Sequence, residues 1–571
     1  MILTESTQYI RGILPKEHKI KAIGVSILLF INSALELVGL GALLPVFAIL
    51  LEDNFTEKYS WANWLYQTFK LTNENQLIIL LAVGLFIIVL LKNIAGLYIA
   101  KLQSSFSLGL YKDFAIRLHQ IYYRKGFSFF KNNNSNLINR NVNAATQQFS
   151  QNVVLGVLNL FNEFVVLAAI IISIGIYDPL ILVVLATTVA PPFLLFYYWV
   201  RKKSLQIGEV RKKIQPELGR NVFQSIFGYI DVIINGAEQR FRKRIENNVK
   251  ELSDTNIKAN VYNLAPTRVI ESALMLAIMV MIIYGVYAYD SKVELLQLLG
   301  IFAVAGYRIM PSINRMMIAI NGLNQSKWIF EVLEPLKSNE LNNIQPKDIT
   351  FKRKLELKNL TFQYPDADKP VLNNFNLCIN KGETIGFMGP SGAGKTTAMN
   401  ILLGFLKPNA GQYLVDDTVL DEAHMQAFYQ KVGYVQQQVY LVDGSLGENI
   451  AFGVPHKDID QAKLQGVIKQ ASLENLIEDL PKGLNTLIGE NGTKLSGGQR
   501  QRVGIARALY FNAEILFFDE ATSALDTQTE EEITESIRLL SRTDLTLVII
   551  AHRESTLRYC KRILKINNNI E

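Results

Sequence analysis

The sequence predicts a multi-domain membrane protein, an all-α domain of six membrane spans followed by an α/β domain. Three observations lead there. The 571 residues suffice for two or more domains, each with its own core. Hydrophobic residues make up 49% of the chain, and the mean hydropathy is positive, +0.16, which is high for a soluble protein of this size. The apolar residues are also unevenly spread: long runs before about residue 330, short strand-length and helix-length segments after it.

Candidate spans lie near residues 22–51, 77–100, 152–176, 179–200, 269–289 and 294–320. Each is near or above the roughly 20 residues that a bilayer-crossing helix needs. Basic residues set their orientation. Lys101, Lys112, Arg117, Arg124, Lys125, Lys131 and Arg140 lie between the second and third spans, and residues 201–262 are richer still. The first connection holds only Lys58 and Lys70, the third is the turn Tyr177-Asp178-Pro179, and the fifth holds only Lys292. Six spans with both ends inside satisfy the positive-inside rule. The two basic connections are too long for structureless loops, and they read as helices that continue past the bilayer. Short transverse helices at Asn132–Arg140 and Phe223–Ile233 would turn them back.

The net charge of +7 is concentrated beside apolar runs, as in Arg201-Lys202-Lys203, Arg211-Lys212-Lys213 and Arg240 to Arg244. That placement suits a membrane flank and argues against nucleic acid as a partner. Cys378 and Cys560 show neither a disulfide framework nor metal-ligand spacing, in keeping with a reducing cytosol. The first 19 residues carry no cleavage-site pattern, so the first apolar run is expected to be a retained span. The expected organisation is a membrane domain over 1–325, a polar linker over 326–350 and the α/β domain over 351–571.

Leu355–Phe362 and Glu383–Met388 read as strands, and alternating strands and helices follow, with a helical insertion around 440–510. Directly after the second strand stands Gly389-Pro390-Ser391-Gly392-Ala393-Gly394-Lys395-Thr396, with Thr397 next. This is the phosphate-binding pattern G-x-x-x-x-G-K-[ST]. Its glycines let backbone N–H groups turn toward phosphate, and a helix N-terminus adds positive potential. Lys395 is expected at the β- and γ-phosphates and Thr396 on Mg²⁺. The apolar strand Ile515–Phe518 ends in Asp519 and Glu520. Asp519 is the candidate for holding Mg²⁺ through water, and Glu520 the candidate for orienting or deprotonating the attacking water.

Leu495-Ser496-Gly497-Gly498-Gln499, followed by Arg500-Gln501-Arg502, resembles the signature motif of the ATP-binding cassette family, and the resemblance extends over residues 350–565. It implies that Tyr364 stacks on adenine, that Gln437 senses Mg²⁺, that Ser523–Asp526 crosses a dimer interface and that His552 contacts the γ-phosphate. Two departures stand out. Gln436 occupies a place where the family usually has proline, and Glu554 one where leucine is common. The resemblance further implies two cassettes closing head to tail, each ATP held between one phosphate loop and the partner's Ser496–Gln499. With its own set intact, the chain is expected to pair with a second copy of itself, a heterodimer being the alternative.

Six spans ahead of the cassette resemble the exporter architecture of that family. About 20 residues precede the first span, too few for the peptidase domain that some peptide exporters carry. Lys92, Arg268, Arg308 and Arg315 lie in or at the edges of spans. Counting about 1.5 Å per residue places all four in the inner half of the bilayer, where charges face a cavity or a partner. Together they form a candidate anion-binding belt, with local pairing such as Arg268 with Glu271 as the alternative. The segment Gly306–Arg315 also resembles the last span of bacterial lipid-linked oligosaccharide flippases. That likeness implies an ATP-driven flippase of a lipid-linked glycan or related amphipathic anion, in a bacterial inner membrane with the cassette in the cytoplasm. An exporter of peptides or drugs on the same scaffold is the alternative, and a nucleotide-gated channel a more distant one. Between the first two spans, Trp61, Trp64, Leu65 and Phe69 recur at helical spacing. They mark either an aromatic-anchored loop or an amphipathic helix in the outer interface that guides a lipid tail.

Overall fold

The computed structural model describes residues 2–41, 60–71, 73–177, 179–288, 292–337, 345–365, 367–520, 527–551 and 553–566. It divides into two compact units, Met1–Lys125 with Phe129–Leu341, and Gly126–Ser128 with Asn342–Glu571.

The N-terminal part is helical: α1 (Ile2–Ile13), α2 (Lys16–Gly41), α3 (Ser60–Thr68), α4 (Glu74–Arg124), α5 (Gly126–Asn132), α6 (Ser135–Arg140), α7 (Leu155–Tyr177), α8 (Pro179–Thr188), α9 (Ala190–Phe227), α10 (Tyr229–Ile234), α11 (Glu238–Ala288) and α12 (Lys292–Gln325). Among the described residues, five helical stretches are long and apolar enough to cross a membrane. Helix α12, 34 residues long, stands where the sequence puts the sixth span. Helices α4 and α11 each run 51 residues. At 1.5 Å per residue that is about 75 Å, against a hydrocarbon core of about 30 Å. Both therefore continue well beyond any bilayer they cross.

Three local features depart from the sequence reading or resolve it. The first reversal begins earlier than Asn132, because Gly126 takes a positive φ of 73° straight after α4. Helix α5 follows, and Asn133 and Asn134 are extended before α6, with Asn134 capping the N–H of Asn136 at 2.9 Å. The span expected over 179–200 is two helices, α8 and α9, with Pro191 and Pro192 in the first turn of the second. Proline brings no N–H and a fixed φ, which suits a helix start and breaks a helix interior. The aromatic segment at 61–69 forms a helix, α3. Ala62 is buried and Leu65 and Tyr66 pack with Leu77, while Trp64 is 64% exposed.

Polar contacts tie the long helices α9, α11 and α12 together. Asn321 of α12 accepts from Ser204 of α9 at 3.1 Å and donates to the Tyr262 carbonyl of α11 at 3.1 Å. Arg211 of α9 bonds Gln325 at 2.9 Å and Asn256 at 2.6 Å. Apolar packing around Phe114, Phe149 and Leu118 holds α4 against the turns that lead into α7. Those turns, Asn141–Ala145 and Phe149–Val154, are π-helical.

The C-terminal unit is α/β. Strands β1 (Lys354–Phe362), β2 (Leu372–Asn380), β4 (Ala410–Val415) and β5 (Thr418–Val419) make an antiparallel sheet in the order β2-β1-β4-β5. A parallel sheet has the order β6-β7-β8-β3-β9, from β3 (Thr384–Met388), β6 (Val432–Val435), β7 (Ile515–Asp519), β8 (Thr546–Ile550) and β9 (Arg562–Lys565). Its helices include α13 (Lys395–Leu402), α14 (Gln461–Gln470), α15 (Gly497–Tyr510) and α16 (Thr527–Leu540). Residues 515–518 are buried on both faces, as a central parallel strand requires. Phe387 of β3 and Asp519 of β7 both pair with Ile550 of β8. The carboxyl ends of β3 and β7 therefore open at one edge, where α/β sheets place their ligands.

Candidate functional site

Loop 389–394 turns from β3 into α13, and its glycines are required by geometry. A Cβ on Gly389 would stand 2.1 Å from the Ile566 carbonyl oxygen, and Gly394, at φ +95°, would bring one to 3.1 Å from Val371. Lys395 is buried, and its Nζ donates to the carbonyls of Gly389 at 2.7 Å and Pro390 at 2.9 Å. The ammonium thus sits over the loop at the N-terminus of α13, where backbone N–H groups favour an anion. Ser391, Gly392 and Thr396 are exposed on the loop and first turn, and Thr397 is buried. The Tyr364 hydroxyl lies 3.2 Å from Thr397 Oγ1, and its ring meets Phe362 edge-on at 4.9 Å.

Asp519 and Glu520 end β7 at the same edge. Tyr434 of β6 donates to Asp519 Oδ2 at 3.1 Å. Burial raises the Asp519 pKa above the ordinary value, and the Glu520 charge adds to this, while the Tyr434 bond and the Lys395 charge oppose it. Glu520 is held at φ +48°. Its N–H donates to the Ile550 carbonyl at 3.0 Å, and its carboxylate accepts from Gln437 Nε2 at 3.2 Å. A non-glycine residue in this region is strained, and such strain clusters at functional sites.

Ser496 and Gln499 cap α15 reciprocally. The Ser496 hydroxyl accepts from the Gln499 N–H at 3.2 Å, and the Gln499 side chain accepts from the Ser496 N–H at 2.8 Å. Gly497 is half-buried and Gly498 buried; a Cβ on Gly498 would come within 2.0 Å of Thr529. Sequence reasoning passed over Gln501, one turn further on. Its buried amide donates to the carbonyls of Gln436 at 3.1 Å and Gln437 at 2.7 Å, fixing the loop that presents Gln437 to Glu520. Its only signal was its position between Arg500 and Arg502. The candidates His552 and Ser523–Asp526, Asp526 included, lie outside the described residues.

In the helical unit, Arg315 is not a free cation. Its Nε and Nη2 donate to Glu163 Oε1 and Oε2 at 2.6 and 3.1 Å, a two-bond pair in which the Glu163 side chain is 5% exposed and that of Arg315 43%. Sequence reasoning did not pair them, because 152 residues separate the two in the chain. Arg268 pairs with Glu271 at 2.9 Å, the local alternative noted above. Lys92 is half-buried on α4, and Arg308 lies on α12 with its side chain outside the described residues. Beside Arg315 is a cavity of about 180 Å³, walled by Gln151, Asn152, Gly156, Asn159 and Gly322 among others.

Comparison with known proteins adds what this chain is similar to. Residues 372–523 match the family model described as ABC transporter. An ATP-dependent lipid A-core flippase of Pseudoalteromonas translucida (strain TAC 125) is 40% identical over 248 residues, 43% of this chain and 42% of the relative. An uncharacterized ABC transporter ATP-binding protein of Bacillus subtilis (strain 168), YwjA, is 35% identical over 373 residues, 64% of this chain and 62% of the relative. The match spans less than two thirds of either relative's length. Among solved structures, a bacterial Atm1-family ABC exporter with ATP bound superposes with a TM-score of 0.75 at 21% identity, covering 96% of this chain and 94% of that one. The chain thus carries an ABC transporter ATP-binding domain and has the fold of an ABC exporter.

Proposed function

We propose that this chain, an ABC transporter domain joined to a helical unit of exporter fold, is one half of an ATP-driven flippase for an amphipathic anion of the lipid-linked oligosaccharide class. The observation that carries the reading is one edge of the parallel sheet. There the Lys395 loop, Asp519, and Glu520 held by Gln437 come together in a chain that also bears long apolar helices. Lys395 and the N–H groups of loop 389–394 grip the phosphates, and Tyr364 supports the adenine. Thr396, Gln437 and Asp519 offer the hard oxygen donors that Mg²⁺ takes, and the ion, when bound, neutralises phosphate charge. Glu520 orients the attacking water and accepts its proton. His552 contacts the γ-phosphate. Ser496–Gln499 and Asp526 complete the site of a second copy, so the working unit is a homodimer. It sits in a bacterial inner membrane, among membrane lipids, with its nucleotide domains in the cytoplasm.

The cargo class rests on charge and on relatives. Lys92, Arg268, Arg308 and Arg315 would form a belt of cations, with Glu271 set against Arg268 and Glu163 against Arg315. We infer that Lys92 and Arg308 draw a pyrophosphate or phosphate head, a guanidinium doing so through a planar fork of donors. Relatives named as lipid A-core flippases point to the same chemical class. A Lys92→Gln/Arg308→Gln double variant in proteoliposomes tests this. Flipping of a pyrophosphate-linked glycolipid should fall at least tenfold, with an unchanged yield of inserted dimer. Unchanged flipping of that lipid, or faster export of cationic drugs as the preferred cargo, would overturn the reading.

A further inference from the structure

We propose that the cavity between α7 and α12 is a subsite for a glycosyl head group, in which Glu163 positions Arg315 as a neutral-pair donor. This rests on the flippase reading and narrows it: Arg315 serves the sugar, not the anion.

The hydrogen bonds within the wall fix what it offers. Gln103 donates to Asn159 Oδ1 at 2.7 Å, which leaves the Asn159 NH₂ as a donor. Asn152 donates through Nδ2 to Ser326 at 3.3 Å, which leaves its Oδ1 as an acceptor. Glu163 occupies the Nε–Nη2 edge of Arg315 and leaves the Nη1 edge. The wall therefore presents donors and an acceptor together. A phosphate head offers acceptors alone, whereas a hydroxyl both gives and takes a hydrogen bond. Charge points the same way. The Arg315–Glu163 pair is neutral overall, and the carboxylate behind it repels a second anion brought to the same guanidinium.

Size and backbone agree. At about 180 Å³ the cavity is smaller than the roughly 300 Å³ at which pockets begin to engulf a whole small ligand. It suits one ring of a larger molecule. Gln151 and Asn152 reach the wall from the π-helical turn Phe149–Val154, a widened geometry found often at functional sites. Gly156 and Gly322 leave the space open, yet a Cβ on either would meet its nearest neighbour at 3.7 and 3.8 Å, ordinary contact distances. A methyl there narrows the cavity without breaking the packing.

The test uses full-length protein in nanodiscs and two probes, a polyprenyl pyrophosphate bearing an oligosaccharide and the same pyrophosphate without sugar. Calorimetric binding is measured beside ATPase stimulation, so that binding is read apart from turnover. Asn159→Ala should weaken the glycosylated probe about fivefold, the worth of one neutral hydrogen bond, Gly156→Ala should weaken it by narrowing the cavity, and both should leave the bare probe within about twofold. Glu163→Gln frees the guanidinium, so it should tighten the bare probe while weakening the glycosylated one; Glu163→Asp, which keeps the negative charge, should restore the parent order. A merely structural Glu163 would weaken both probes alike. Equal shifts for the two probes, or no shift in either, or a parent that binds both equally, would overturn the subsite. Glycan-dependent binding with neither stimulation nor flipping would instead leave the subsite standing and sink the flippase reading.

Discussion

In the proposed hydrolysis, Glu520 concentrates the chemistry of the nucleotide unit in one side chain. Its backbone is pinned by the Ile550 carbonyl in a strained conformation, and its carboxylate is aimed by Gln437. Glu520→Gln keeps the shape and loses the base, so ATP should bind while turnover falls by about 10²–10⁴-fold. Purified parent and variant compared for ATPase rate and nucleotide retention decide the point, and near-normal turnover would remove Glu520 from its role. The gathering of residues at this edge was legible in the sequence because phosphate binding needs glycines and a lysine at fixed spacing, and a strand ending in two acids is a local pattern. Glu163 and Gln501 were not legible. Their partners are set by which helices and loops meet in three dimensions, and neither carries a local motif.

At the scale of elements, α15 does more than present Ser496–Gln499. Through Gln501 it props the loop carrying Gln437. Gln501→Leu removes both bonds, and because Gln436 and Gln437 are exposed, water can meet their carbonyls; the change should therefore cost only about 1 kcal/mol, seen as a lower Tm, and slow ATP turnover severalfold through a slacker Gln437. A variant as stable and as fast as the parent would show the prop to be idle. Helix α16 holds the segment after His552 in a similar way. Glu530 accepts from Ser555 at 2.7 Å and Thr556 at 3.3 Å and pairs with Arg553. Burial pushes the Glu530 carboxyl up, but the bonds from Ser555, Arg553 and Thr556 outweigh it and hold it below its ordinary value of 4.5. A depressed carboxylate stabilises the fold above its unfolded pKa and loses that contribution as pH falls through its folded one. The Tm advantage of the parent over Glu530→Gln should therefore be full near pH 7 and shrink below about pH 4.5; an advantage independent of pH would contradict it. Element type was read well where periodicity is long, as in α4 and α11. It failed at Gly126 and at Pro191-Pro192, where one or two residues override the hydrophobic pattern of their neighbours.

At the scale of the whole molecule, the proposed homodimer makes each ATP site composite. Co-expressing a Lys395→Ala chain with a Ser496→Arg chain should yield a heterodimer with one intact site and up to about half the parent ATPase rate, while each mutant homodimer is inactive. A heterodimer as dead as both would show that the sites are not shared, or not independent. The broken fourth span bears on the membrane unit as a mechanical object. Prolines 191 and 192 bring no N–H, so the carbonyls of Thr187 and Thr188 lose the donors that an unbroken helix would supply. Hydrocarbon has no water to replace them. The Thr187 and Thr188 hydroxyls bond backward to Val183 and Val184 and close neither gap. Two adjacent rungs are therefore missing from the stretch Leu182–Phe227, and its bending stiffness is lowest there. Further along α9, Pro216 removes a single rung at the Lys212 carbonyl, which Arg140 meets with a side-chain bond at 2.7 Å, so a torque from neighbouring helices should bend the stretch first at residues 187–192.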